Sequence, residues 1–253
     1  MASSKERIMK KIVIIGATSA VATETARRFA LEGADLFIAG RTQDKLERLA
    51  QDLRVRGASA VHTGLFNSKD LASHDQLMEQ AFHKLGEIDA ALIAHGDLPD
   101  QKESERSWSS AERALATNLL SPIAFLTWLA NYFETRGKGN ITVISSVAGD
   151  RGRQSNYIYG AAKGGLSTFL QGLRNRLALK GVSVTTVKPG FIDTPMTAHI
   201  KKGPLFASPE LVGKRVHKAM VKGESVVYTP LFWRPIMLVI QHIPEFIFKR
   251  MKL

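Results

Sequence analysis

The residues best suited to chemistry fall in one stretch, "NITVISSVAGDRGRQSNYIYGAAKGGL", running from Asn140 to Leu166. Tyr159 and Lys163 stand four positions apart at the start of a helical pattern, so both side chains project from one helix face. An ammonium beside a tyrosine stabilises the phenolate, lowers its pKa and fits it to exchange a proton with a developing alkoxide. Ser146 follows an apolar, strand-like run, where a hydroxyl can donate to the same oxygen. Such a set suits hydride transfer between a carbonyl and an alcohol. With no cysteine in the chain, thiolate nucleophiles, disulfides and zinc-thiolate centres are excluded, and no metal site is expected.

Groups of this kind must be held by strand ends and helix starts, and the chain supplies both in alternation. The runs "KIVII", "DLFIAG", "SAVHTG", "IDAALIAHG", "NITVISS" and "VSVTTVKPG" read as strands. Helical patterns lie between them at 23–32, 43–56, 68–85, 106–134 and 157–180. Strands apolar along their whole length, each followed by an amphipathic helix, indicate an α/β fold: a doubly wound parallel β-sheet with helices on both faces. With 253 residues, 44% of them apolar, the chain suits a single domain. That domain is expected over 1–230, with an amphipathic, basic and aromatic tail over 231–253. In such sheets ligands bind beyond the carboxyl ends of the strands.

Directly after the first strand comes "IGATSAVA" (15–22), with Gly16 for the tight turn and Thr18 and Ser19 as hydroxyl donors. A pyrophosphate at the following helix start gains hydrogen bonds from amides that would otherwise be unpaired. Only one of the three customary glycines is retained, so an ordinary strand-to-helix turn is the alternative. Ala20 is the costlier replacement, because it rules out a positive φ that glycine adopts freely. After the second strand stand Gly40 and Arg41, where an acidic residue would bond the ribose hydroxyls and repel a 2′-phosphate. Arg41 can grip a phosphate through its fork. NADP(H) is therefore preferred over NAD(H).

Taken together, these motifs resemble the short-chain dehydrogenase/reductase family over essentially the whole chain. The family's Tyr-x-x-x-Lys falls on Tyr159 to Lys163, and its serine, thirteen residues earlier, on Ser146 rather than Ser145. Its helix asparagine, which holds a water for proton relay, falls on Asn118 in "ATNLLSP". The resemblance implies a Rossmann fold. It also implies a cofactor site formed by Gly16, Thr18, Ser19, Val21, Arg41, His95, Gly96, Tyr159, Lys163, Pro189, Gly190, Ile192 and Thr194. The last two match positions that bind the nicotinamide carboxamide, and the backbone at His95 would lie along the cofactor ribose. Three departures weaken cofactor contacts rather than chemistry. The glycine loop is reduced, Ala94 replaces an asparagine that braces the central strands, and Leu65 stands where an aspartate contacts adenine. The resemblance further implies a homodimer or homotetramer through the helices carrying Asn118 and Tyr159. A catalytically silent NADP(H) sensor or scaffold of the same fold is the alternative function.

The net charge of +12 is concentrated late: from Lys201 onward ten basic residues face three acidic ones. No groove-reading motif accompanies this charge, so no nucleic-acid partner is expected. The tail mixes it with Trp233, Phe246 and Phe248, and its longest unbroken apolar run is Ile236 to Ile240. It cannot span a bilayer, which needs about 20 apolar residues. Two readings stay open for it. It can lie on a membrane surface, with those aromatics dipping in and Lys249, Arg250 and Lys252 at the headgroups. Otherwise it packs on its own domain or on a sister subunit. The tail, with "GDRGRQSNYIYGAAKGGL" and "PGFIDTPMTA", is similar to reductases resembling the ketoreductase component of decaprenylphosphoryl-ribose 2-epimerase, which act on a keto-sugar carried by a polyprenyl phosphate. The substrate is thus expected to be a small or lipid-linked carbonyl. The basic start before "KIVII" is read as leading into a first strand rather than as a signal peptide. The expected location is cytoplasmic, including the inner face of the membrane.

Overall fold

The structure is a computed structural model that describes residues 10–198 and 200–251. Its framework is one sheet of seven parallel strands in the order β3-β2-β1-β4-β5-β6-β7. The strands are β1 Lys11–Ile15, β2 Asp35–Gly40, β3 Ala60–Leu65, β4 Ala90–Ile93, β5 Gly139–Ile144, β6 Val182–Pro189 and β7 Val226–Thr229. The order reverses between β1 and β4, which pair in register from Ile12↔Ala90 to Ile15↔Ile93. A crevice for a ligand belongs at that reversal.

Side chains alternate across each strand, which divides the core into two layers. Val13, Ile15 and Phe37 face α3 (His74–Leu85), α6 (Ser121–Arg136) and α7 (Tyr157–Ala178), packing on Met78, Phe125, Phe133 and Leu170. Ile12, Ile14 and Leu36 face α1 (Ala20–Leu31), α2 (Gln43–Val55) and α8 (Pro209–Lys222), packing on Phe29, Leu46, Leu53 and Val216. Strands buried on both faces explain their uninterrupted apolar sequences.

Helix ends differ from the sequence pattern where capping decides them. α1 begins at Ala20, three residues before the expected 23, because Ser19 Oγ accepts a hydrogen bond from Ala22 N at 3.4 Å. A cap of this kind stabilises a helix by about 1 kcal/mol. The stretch expected as one helix at 106–134 is α5 (Trp108–Leu115), a π-turn (Ala116–Leu120) and then α6, preceded by the short α4 (Gln101–Ser104). By length and composition the continuous run Trp108–Arg136 could cross a membrane, but half of it is buried in this domain.

In the first loop only Gly16 needs left-handed backbone, at φ +79°, and no described residue other than glycine has positive φ. Ala20 simply opens α1, and Ala22 is fully buried against the sheet. The expected backbone cost at Ala20 is therefore absent.

The tail packs on the domain as α9 (Trp233–His242) and α10 (Glu245–Phe248). Trp233 and Met237 are buried with Val147, against Phe191, Tyr228, Ile236 and Ile240. With only 3% of its surface exposed, Trp233 packs on the domain, as the second of the two readings of the tail has it, and does not dip into a membrane as the first has it. Arg151 closes the end of α9: its guanidinium donates to Ile240 O (2.7 Å), Gln241 O (3.2 Å) and Ile243 O (2.6 Å), and pairs with Glu245 at 3.0 Å. It also stacks 3.7 Å from the Phe248 ring centre. Lys252 and the basic start of the chain lie outside the described residues.

Candidate active site

The carboxyl ends of β1, β2, β4, β5 and β6 deliver the residues singled out above. At β5 two serines follow Ile144, and their surroundings separate them. Ser145 Oγ donates to Lys163 O (3.1 Å), lies 2.8 Å from Ser167 Oγ and is buried. It is a structural link. Ser146 is partly exposed at the start of a short 3-10 turn, where its Oγ accepts from Ala148 N at 3.1 Å and keeps its own proton to donate. Gly149 ends that turn, and a Cβ there would stand 2.6 Å from the backbone of Lys163 and Gly164. Only glycine lets the serine turn lie directly on the helix carrying Tyr159.

Tyr159 and Lys163 occupy the first two turns of α7. Dense surroundings push the Tyr159 hydroxyl up to about 12, opposed by a hydrogen bond with Ser146 and reinforced by the nearby Asp97 carboxylate. Lys163 is 3% exposed, and burial brings its pKa down to about 8, with Asp97 acting in the other direction. Its Nζ donates to Ile144 O at 3.1 Å and lies 5.8 Å from the centre of the Tyr159 ring. The expectation that the ammonium by itself lowers the tyrosine pKa is therefore corrected. Here Ser146 is the group that lowers it, and burial, reinforced by Asp97, outweighs Ser146.

Asn118 lies in the π-turn between α5 and α6 and is fully buried. Its amide donates to Asp97 Oδ1 (2.7 Å) and Ala114 O (3.0 Å), and its Oδ1 accepts from Asp97 N (3.1 Å). The side chain is thus engaged in holding Asp97. Asp97 itself was not singled out from the sequence. Its position just after "AHG" was the one available hint, while its charge at the site depends on Asn118 being folded against it.

On the cofactor side, a Cβ at Gly16 would sit 2.5 Å from His95 N, so loop and strand end are in direct backbone contact. The His95 side chain turns inward: Nε2 lies 2.9 Å from Ser121 Oγ, which also meets His74 Nε2 at 2.7 Å. Burial drives its pKa down to about 3, with smaller contributions from Lys163, His74 and Arg41. Any cofactor contact by His95 is through its backbone. Val21 is likewise buried and offers only its amide. Thr18 and Arg41 are exposed at the ends of β1 and β2, and Leu65 ends β3 in register with Gly40, 55% exposed. Gly96 adjoins Asn118 and Lys163: a Cβ there would lie 2.7 Å from Asn118 Oδ1 and 3.5 Å from Lys163 Nζ. Pro189 and Gly190 end β6, and Ile192 bridges to Ala207 at the base of an excursion that includes Thr194.

A phosphate-bearing dinucleotide fits this donor set. The amides of Ala20 and Val21, first in α1, have no carbonyl to bond within the helix. Trp233 Nε1, packed on Gly190, is a buried donor with no hydrogen-bond partner among the described residues.

Compared with known families, residues 10–204 match short chain dehydrogenase. The chain belongs to the short-chain dehydrogenase family. It is 38% identical over 240 residues to an uncharacterized oxidoreductase of Mycobacterium tuberculosis, covering 95% of this chain and 96% of that protein. An uncharacterized oxidoreductase of Streptomyces coelicolor is 31% identical over 243 residues, covering 96% of each. The fold is similar to the crystal structure of levodione reductase, with a TM-score of 0.79 at 20% identity, over 88% of this chain and 96% of that one. The protein is thus an oxidoreductase of the short-chain dehydrogenase type, a family that uses a nicotinamide cofactor.

Proposed function

We propose that this dehydrogenase transfers hydride between NADP(H) and a carbonyl or secondary alcohol. The observation that carries the reading is the convergence of Ser146, Tyr159 and Lys163 on one side of the β5 end, with Ser146 hydrogen-bonded to the Tyr159 hydroxyl. The bound nicotinamide supplies or accepts the hydride. In reduction Tyr159 donates its proton to the substrate oxygen, and in oxidation it accepts one. Ser146 donates a second hydrogen bond to the same oxygen and stabilises its negative charge. Lys163, anchored on Ile144 O, keeps donors free for the nicotinamide ribose.

Preference for the phosphorylated cofactor is supported by Arg41, exposed where β2 ends, and by the lack of an acidic residue at Gly40 and Leu65 beside it. A keto-sugar on a polyprenyl phosphate is the proposed substrate class. The tail and loop resemblance supports it, as does an acceptor at the site, Asp97, suited to sugar hydroxyls. A homodimer or homotetramer through the helices carrying Asn118 and Tyr159 is also proposed, supported by the exposed Trp108 and Leu120 on that stretch.

The deciding experiment follows NADPH and NADH oxidation by purified protein over a carbonyl panel that includes lipid-linked keto-sugars, with Tyr159→Phe in parallel. Turnover in the wild type and none in the variant is expected. Binding of NADPH without any turnover would favour the silent sensor instead.

A further inference from the structure

The tail's inner face is fully accounted for, but its outer face is not. On α9 the buried positions are Trp233 and Met237, with Ile236 and Ile240 packed beside them, a spacing that fills one side of a helix. The opposite side carries Arg234, Pro235, Leu238, Val239 and His242, all exposed. Leu238 is 58% exposed, Val239 65%, and Phe246 on α10 61%, with Leu231, Phe232 and Ile247 exposed as well. So many large apolar side chains in one short segment mark an interaction surface.

The charge on this face has one sign. The tail's single acid, Glu245, is paired with Arg151, while no carboxylate among the described residues pairs with Arg234, Lys249 or Arg250. We propose that the outer face of α9 and α10 docks on an anionic bilayer surface, with Leu238, Val239 and Phe246 entering the interface and the three cations meeting lipid phosphates. A second copy of the chain suits the face poorly. An isologous contact would bring the same unpaired cations together from both subunits, with no acid between them.

Because Trp233 packs on Gly190, and Val147, the neighbour of Ser146, lies in the same cluster, docking sets the rim of the site beside the lipid. Delivery of a lipid-borne substrate to that rim rests on the proposed reaction, whereas the docking itself does not.

The test is flotation of the full chain with vesicles of phosphatidylcholine alone and of phosphatidylcholine with phosphatidylglycerol. Binding to the anionic vesicles that weakens with salt is expected. Arg234→Gln/Lys249→Gln/Arg250→Gln should lower the partition coefficient about a hundredfold. Leu238→Glu/Val239→Glu should abolish flotation, and Leu179→Glu, an exposed apolar residue on the distant end of α7, should leave it unchanged. Unaltered melting temperatures show that the variants are folded, and their rate on a soluble carbonyl reports the reaction separately. Failure to float with anionic vesicles overturns docking, as does equal flotation of all variants. Concentration-dependent dimers abolished by Leu238→Glu/Val239→Glu, without vesicle binding, would assign the face to a second copy.

Discussion

Lys163 is a buried cation held in place by one carbonyl bond, and its depressed pKa measures what that burial costs. The folded protein binds fewer protons than the unfolded chain between about 8 and 10.5, so stability rises with pH across that window. Lys163→Met is therefore expected to melt higher than the wild type at pH 7 while losing activity, and its advantage should shrink towards pH 10. Thermal melts at the two pH values check this. Tyr159→Phe removes only the proton-exchanging oxygen. It should lower kcat by about 10²- to 10⁴-fold, with cofactor affinity measured by fluorescence titration nearly unchanged. His95 acts with the same sign in a lower pH window. With its folded pKa at about 3 and a reference of 6.5, its contribution is present above 6.5 and lost as pH falls towards 3. Urea midpoints should fall through that acid range, and His95→Gln should flatten the fall. Tyr159 and Lys163 were legible because one helix turn brings them together. Asp97 was not, since the Asn118 that holds it is 21 residues away and meets it only in the folded chain.

At the scale of elements, the strands were readable because burial on both faces leaves them no polar positions. The helix starts were less so, as Ser19 advances α1 by a hydrogen bond that apolar periodicity does not record. The seating of the tail was illegible for the same reason as Asp97, with Arg151 lying 89 residues from the Ile240 carbonyl it holds. That seating joins the end of α9 to the segment just after the Ser146 turn. Asp150, next in chain, reinforces it by pairing with Lys188 on β6 and accepting from Tyr228 Oη on β7 at 2.8 Å. The guanidinium fork serves three carbonyls at once, a geometry lysine does not reproduce. Arg151→Ala should raise hydrogen exchange across 233–248 with little change in β1 to β5, and Arg151→Lys should not restore protection. Uniform exchange in both variants would mean that apolar packing alone holds the tail.

For the molecule as a whole, the sheet reversal matters because it divides the proposed cofactor site between two halves of the domain. Gly16 and Arg41 stand after β1 and β2, while Lys163, Gly190 and the Trp233 donor belong with β5, β6 and the tail. A ligand that bridges them binds only the folded state and stabilises it through mass action. At a hundred times its Kd the gain is about 2.7 kcal/mol, and a domain of this size shifts its Tm by roughly 2–4 °C per kcal/mol. NADPH is therefore expected to raise the melting temperature by about 5–11 °C. NADH at equal concentration should raise it less, because Arg41 then lacks the 2′-phosphate to grip. Arg41→Asp should reverse the order, supplying a carboxylate for the ribose hydroxyls that also repels the phosphate. Melting curves of both proteins with each cofactor decide it. Equal shifts for NADPH and NADH in the wild type would remove Arg41 from the phosphate site without touching the roles of Ser146, Tyr159 and Lys163.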